Sequence, residues 1–167
     1  TQGSVTVDGE QIRYDAVAAT LPLFNGKRDT TAHMFYTAYV KRGVEDDAQR
    51  PVTFLYNGGP GSATMWLHMG SFGPVRIAAE DTSNVGGAPY SLVENPESLL
   101  DVTDLVFVDA PGTGFSRLTR HGEPDRFFGV DQDARAFADF VARFLTKHGR
   151  WNSPKYLFGE SYGTTRS

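Results

Sequence analysis

The stretch VDQDARAFADFVARFLTKHGRWNSPKYLFGESYG (130–163) decides the architecture. Ala134, Phe137, Ala138, Val141, Phe144 and Leu145 recur at the i, i+3, i+4 spacing of an amphipathic helix. Asp131 and Asp133 suit the positive N-terminal end of that helix, Gly149 stops it, and Pro154 lies shortly beyond. The apolar run Tyr156-Leu157-Phe158 follows, and Leu105-Val106-Phe107-Val108 precedes. The latter is continuous rather than alternating, as in a strand buried on both faces, and Val52-Thr53-Phe54-Leu55-Tyr56 reads the same way. Strand, helix, strand with buried strands predicts a parallel βαβ unit with a right-handed crossover, and hence an α/β fold.

Outward from this unit the pattern changes. Val5 and Val7 alternate with polar residues, Asp8-Gly9 predicts a tight turn, and Ile12, Tyr14 and MFYTAYV (34–40) continue in β-forming residues. Gly26-Lys27-Arg28-Asp29 suits a hairpin connection. The first forty residues therefore read as antiparallel strands leading into the parallel sheet. Residues 42–50 read as a solvated loop. Residues 78–99, with Gly86-Gly87, Pro89 and Pro96, read as an irregular excursion with little regular structure.

A length of 167 residues without repeats or low-complexity tracts is one domain's worth of chain. Sixteen Lys and Arg against twenty Asp and Glu leave a net charge of −4, so no general attraction to nucleic acid or to an anionic membrane is expected. The absence of Cys excludes disulfides, thiolate metal sites and a Cys nucleophile. No apolar run of about 18 residues is present, and TQGSVTVDGE at the N-terminus lacks the regions of a signal peptide.

The sharpest chemical signal is Gly159-Glu160-Ser161-Tyr162-Gly163, a G-x-S-x-G pattern directly after a predicted strand. In that context the glycines permit a tight strand-to-helix turn with the Ser161 hydroxyl at its crest and the Tyr162 N–H aimed at a developing oxyanion. Asn57-Gly58-Gly59-Pro60-Gly61-Ser62 follows the strand at 52–56, where glycines bring backbone N–H groups close to a ligand. No Lys-Ser/Thr follows these glycines, so a phosphate loop does not fit.

YNGGPGS (56–62), SFGPVRI (71–77), VFVDAPGTGFSR (106–117) and GESYGTTR (159–166) together resemble the serine carboxypeptidases, peptidase family S10, which have the α/β-hydrolase fold. The leading β-segments and the lack of Cys are similar to the bacterial members. The resemblance implies Ser161 as nucleophile, Gly59 and Tyr162 as donors of the oxyanion hole, and Asn57, Gly58 and Glu160 as binders of the substrate's free α-carboxylate. It implies peptide substrates with a free C-terminus, no cofactor and no metal, and a secreted or periplasmic location. Recognition of one carboxylate by another requires a shared proton, which implies an acidic optimum. Two departures stand out. Ser71 occupies the position of a Glu that well-known eukaryotic members pair with the motif Glu, and Leu55 replaces a Trp two residues before the Asn.

A Ser nucleophile needs a base, normally His oriented by Asp, and in this fold both follow the Ser in the chain. All four histidines, His33, His68, His121 and His148, precede Ser161. His148 at a helix end suits the helix dipole, and His68 suits a packed or surface place. No His pair has metal-ligand spacing. Residues 1–167 are thus expected to be the N-terminal portion of a longer hydrolase, inactive alone, with the rest supplied as further chain or as a second polypeptide. Asp109 is expected to bond its own turn, and Phe127 and Phe128 to be core. The other readings are a proline iminopeptidase-like or esterase activity on the same fold, and a non-catalytic peptide-binding fragment.

Overall fold

The alternation of the first forty residues builds a three-stranded antiparallel meander. In a computed structural model describing residues 1–78 and 88–167, the strands are β1 (Gln2–Val7), β2 (Glu10–Phe24) and β3 (Thr30–Lys41). Asp8 and Gly9 take φ of 49° and 82°, the two left-handed residues that a tight hairpin matched to strand twist demands, and Val7 pairs with Glu10. The β2–β3 connection is tied by the Asn25 side chain, whose Oδ1 accepts from the Lys27 and Asp29 N–H groups.

Then follow β4 (Val52–Tyr56), a short helix α1 (Met65–Leu67) continued by one π-helical turn (His68–Phe72), β5 (Val75–Ile77) and β6 (Leu92–Glu94). After them come β7 (Asp104–Val108), β8 (Arg117–Leu118), α2 (Val130–His148), β9 (Lys155–Gly159) and α3 (Gly163–Arg166). The main sheet runs β1-β2-β3-β7-β4-β9, with β8 added on β3. From β3 the chain skips one position to β4, returns to the gap with β7, and crosses by α2 to β9 on the far side of β4. β7, β4 and β9 are parallel, so the loops leaving them meet at one edge of the sheet. Among the described residues no helix is long and apolar enough to cross a membrane.

Successive residues of each strand serve opposite faces, even where the run is wholly apolar. Tyr36, Phe54, Tyr56, Val106 and Val108 pack with α2 on one face. Tyr39, Leu55, Leu105 and Phe107 pack on the other with Leu67 and Leu100. β4 and β7 are buried throughout, as their composition predicts. Gly149 caps α2 in the left-handed conformation, and the Arg150 N–H returns to the Leu145 carbonyl.

Four expectations are corrected. β9 pairs only with β4, and Tyr156, Leu157 and Phe158 are exposed on both of its faces, because little of the described chain packs over this edge of the sheet. Ala136 and Phe140 join Phe137, Phe144 and Leu145 in the buried face of α2, with Val141 packed against it half-buried, whereas Ala138 is exposed and with Ala134 lines a groove of about 470 Å³ beside Leu157. The stretch 78–99 holds one short strand, β6, which pairs with β5 ahead of it, and Asn95 bonds the Ser71 and Gly73 carbonyls; residues 79–87 lie outside those described. Of the two phenylalanines before α2, Phe127 is core but Phe128 is exposed.

At the opposite edge, Asp104 is 1% exposed and lies between two cations, Arg50 Nε at 2.8 Å from Oδ1 and Arg150 Nη1 at 2.6 Å from Oδ2. Arg50 also donates to the Leu100 carbonyl, and Arg150 to Ser153 Oγ and the Arg50 carbonyl. The network staples the start of β7 to the chain entering β4 and leaving α2. Asp104→Ala strands two buried guanidinium groups and is expected to cost about 3–5 kcal/mol of stability, read as a lower urea midpoint with an unchanged slope.

Candidate active site

The glycine loop after β4 and the turn after β9 touch backbone to backbone. A Cβ on Gly58 would lie 2.7 Å from the Glu160 carbonyl oxygen and 2.8 Å from the Gly163 nitrogen, so only glycine lets the loops close on one another. Within the turn, a Cβ on Gly159 would come within 2.8 Å of the Thr164 nitrogen. The Glu160 N–H donates to the Tyr56 carbonyl at 3.2 Å and the Gly163 N–H to the Glu160 carbonyl at 2.8 Å. Ser161 is left at φ 55°, a left-handed conformation that costs a non-glycine residue energy and recurs at functional turns. Its side chain is exposed.

Asn57 is the polar hub. It is 5% exposed and all its polar groups are engaged. Its N–H donates to Thr64 Oγ1, its Oδ1 accepts the Leu67 N–H at 3.2 Å, and its Nδ2 donates to Glu160 Oε2 at 3.0 Å. The Gly59 and Tyr162 N–H groups donate to no acceptor among the described residues. The structure thus gathers Asn57, Gly58, Gly59, Glu160, Ser161 and Tyr162 into one place. An exposed hydroxyl and two unused N–H groups suit an attack on a carbonyl, and beside the Glu160 carboxyl an anion fits only by sharing a proton with it.

Sequence reasoning missed what supports this hub. Arg166 donates through Nη1 to the Asn57 carbonyl at 2.7 Å and through Nε to Asp133 Oδ2 at 2.9 Å, and its side chain is 1% exposed. The guanidinium lies over the Phe137 ring, 4.3 Å from its centroid. Asp133 read only as a helix-end acid; its partner sits 33 residues away, and no spacing rule announces such a pair. Asp109 behaves as expected, with Oδ2 accepting the Phe115 N–H of its own turn, but its Oδ1 also anchors the Thr64 N–H beneath the glycine loop. Ser71 lies exposed in the π-helical turn.

None of the four histidines bonds Ser161 among the described residues. His33 and His121 are exposed. At the end of α2, burial, then Lys147 and Arg150, hold the His148 pKa below the ordinary value, and its Nε2 pairs with the Tyr36 hydroxyl at 3.1 Å. His68 is packed. Its Nε2 shares a 2.7 Å hydrogen bond with the Tyr39 hydroxyl and its ring stacks on Phe107 at 4.6 Å. Burial pushes His68 down to about 4 and, with Tyr14 adding, Tyr39 up to about 12. Among the described residues no group of three or more His, Asp or Glu could hold a metal ion.

Comparisons with known proteins give the family. The serine carboxypeptidase family model matches residues 23–165, and the chain belongs to that family. The chain is 30% identical over 144 residues to serine carboxypeptidase ctsa-3.2 of Caenorhabditis elegans, covering 83% of this chain and 26% of that protein. It is 30% identical over 136 residues to the pheromone-processing carboxypeptidase KEX1 of Debaryomyces hansenii, covering 80% of this chain and 18% of that one. The crystal structure of the prohormone-processing carboxypeptidase KEX1(delta)p of Saccharomyces cerevisiae superposes with a TM-score of 0.64 at 24% identity, over 88% of this chain and 31% of that chain, a likeness of fold. The chain therefore spans less than a third of the length of each of these three proteins.

The packing of His68 under the glycine loop makes stability depend on pH. Below pH 6.5 the unfolded chain takes up a proton that the folded imidazole refuses down to about pH 4, so stability falls as the pH drops through that window. His148 adds a contribution of the same sign. Urea midpoints measured from pH 7 to pH 4 are expected to fall less steeply in His68→Gln than in the parent chain, and an NMR titration should place the His68 midpoint near 4.

Proposed function

We propose that this chain is the nucleophile-bearing, N-terminal portion of an α/β-hydrolase domain that acts as a serine-type carboxypeptidase, releasing C-terminal residues from peptides through an acyl-enzyme. The observation that carries the reading is the Asn57–Glu160 hydrogen bond, which sets an amide and a carboxyl directly beside the Ser161 turn. The substrate's α-carboxylate binds there, with the Gly58 N–H as a further donor, so that the last peptide bond lies over Ser161.

Ser161 Oγ attacks the carbonyl carbon and passes its proton to a histidine base. The negative charge on the carbonyl oxygen is taken by the Gly59 and Tyr162 N–H groups. Collapse breaks the C–N bond, and the protonated amine of the last residue leaves. Water then attacks the ester by the same route in reverse, regenerating the hydroxyl.

The base and its orienting Asp come from parts of the protein outside these residues, and the 167-residue chain is inactive alone. The relatives' greater length supports this reading, and so does β9, whose free edge with exposed Tyr156, Leu157 and Trp151 suits further sheet as continued chain or second polypeptide. The pheromone- and prohormone-processing relatives favour an exported protein, secreted or periplasmic.

The test uses the full-length protein and an N-blocked dipeptide offered as free acid and as amide. The acid is expected to be cleaved and the amide refused. Ser161→Ala should lose roughly 10⁴–10⁶-fold in kcat. Glu160→Ala, at an exposed position, should raise KM for the acid about 10- to 100-fold, the worth of one hydrogen bond to a charged group. Equal cleavage of acid and amide would sink the reading and favour an esterase or endo-acting hydrolase.

A further inference from the structure

A further open donor stands between Asn57 and Gly59. Gly58 is buried, and its N–H meets no acceptor among the described residues. Its direction is set one bond earlier in the chain. The Asn57–Gly58 peptide bond is trans, so the Asn57 C=O and the Gly58 N–H point opposite ways across one rigid plane. Whatever holds the carbonyl therefore aims the N–H.

Glycine by itself does not fix that plane. The close approach of Gly58 to the Glu160–Gly163 backbone forbids a side chain there, and a residue without Cβ accepts either sign of φ. Turning the plane over thus meets little steric resistance. Reversed, it would present the Asn57 oxygen in place of the N–H and repel an anion. One donor opposes this among the described residues: Arg166, whose Nη1 lies 2.7 Å from the Asn57 carbonyl oxygen. A guanidinium has donors only, so a reversed plane would leave it unanswered on that side. Its other sides are already held. Nε and Nη2 lie 2.9 and 2.8 Å from Asp133 Oδ2, and the Phe137 ring centroid is 4.3 Å away. A buried ion pair is a poor source of stability, since apolar residues of the same volume often fill the space as well. What apolar residues cannot supply is a donor to a carbonyl that has no other.

Resting on the carboxypeptidase reading above, we infer that Arg166, braced by Asp133, is a positioning residue for substrate binding. It locks the Asn57–Gly58 peptide plane with the Gly58 N–H turned to the substrate's α-carboxylate. The pair acts through the backbone and its charges cancel, so its contribution is direction rather than attraction.

The experiment uses the full-length protein and two substrates with one N-blocked acyl group, a dipeptide acid and the methyl ester of the N-blocked amino acid. Only the acid carries an α-carboxylate beyond the scissile bond. Both need Ser161 and the Gly59 and Tyr162 N–H groups. The readout is the ratio of kcat/KM for the acid to that for the ester, which the fraction of folded enzyme cannot change. Arg166→Met is expected to lower the ratio about 10- to 100-fold, as for one hydrogen bond to a charged group, through a raised KM for the acid. The double variant Asp133→Asn with Arg166→Met leaves no charge unpaired in the interior, and should show the same loss with a urea midpoint nearer the parent's. Arg166→Lys should lie between, because an ammonium keeps the charge and a donor but not the planar fork. An unchanged ratio in the double variant, or loss of acid and ester turnover in step, makes the pair structural only and overturns this role while the carboxypeptidase reading stands. If the parent enzyme cleaves the acid no better than the matching dipeptide amide, that reading falls and the lock with it.

Discussion

The guanidinium of Arg166 joins three segments that are remote in sequence. It bonds the carbonyl of Asn57 at the exit of β4, the carboxylate of Asp133 in the first turn of α2, and through its own helix it belongs to the turn that carries Ser161. With 1% of its side chain exposed, it is a buried charge tolerable only because both the carboxylate and the carbonyl answer it. Were that pairing lost, Asn57 would lose an anchor of its backbone, and with it the orientation of the amide that holds Glu160. The close approach of Gly58 to the Glu160–Gly163 backbone completes the constraint, because two loops that touch without side chains have little room to slide.

Polar and charged groups divide cleanly between the two edges of the sheet. At the N-terminal ends of the parallel strands, Asp104, Arg50 and Arg150 form a saturated cluster with no group left over, and its work is structural. At the C-terminal ends the arrangement is deliberately incomplete. The Gly59 and Tyr162 N–H groups have no acceptor among the described residues, and Glu160 keeps one oxygen outside the Asn57 bond. Saturated polar groups stabilise, whereas these leave two donors and a carboxylate oxygen open at the ends of the parallel strands. The strand order places them together, since skipping one position and returning with β7 is what sets three loop-bearing strand ends side by side.

Histidine shows how far a residue's chemistry depends on its surroundings. His68 follows the glycine loop by only a few residues and could have faced the site. Instead it stacks on Phe107 and bonds Tyr39 on the lower face of the sheet, and burial leaves it neutral down to about pH 4. Its part is to fill the core beneath the loop. Leu67, one residue earlier, does the positioning through its N–H on Asn57 Oδ1.

Much was legible in the one-dimensional chain because it depends on local physics. The Asp8-Gly9 turn, the continuous apolar runs of β4 and β7, the Gly149 cap and the strained Ser161 turn are each written in a few neighbouring residues. The loop carrying Asn57, Gly58 and Gly59 and the turn carrying Glu160, Ser161 and Tyr162 lie against one another. What no local pattern contained was partnership. Asp133 and Arg166 are an ordinary helix acid and a basic residue at the end of a motif until α2 and the turn are packed together. Whether Phe128 is core or rim, whether β9 is inner strand or edge, and which half of the α2 stripe meets the sheet all turn on which neighbours arrive. Backbone conformation answers to adjacent residues, whereas burial and charge pairing answer to residues tens of positions away, and only the assembled sheet decides those.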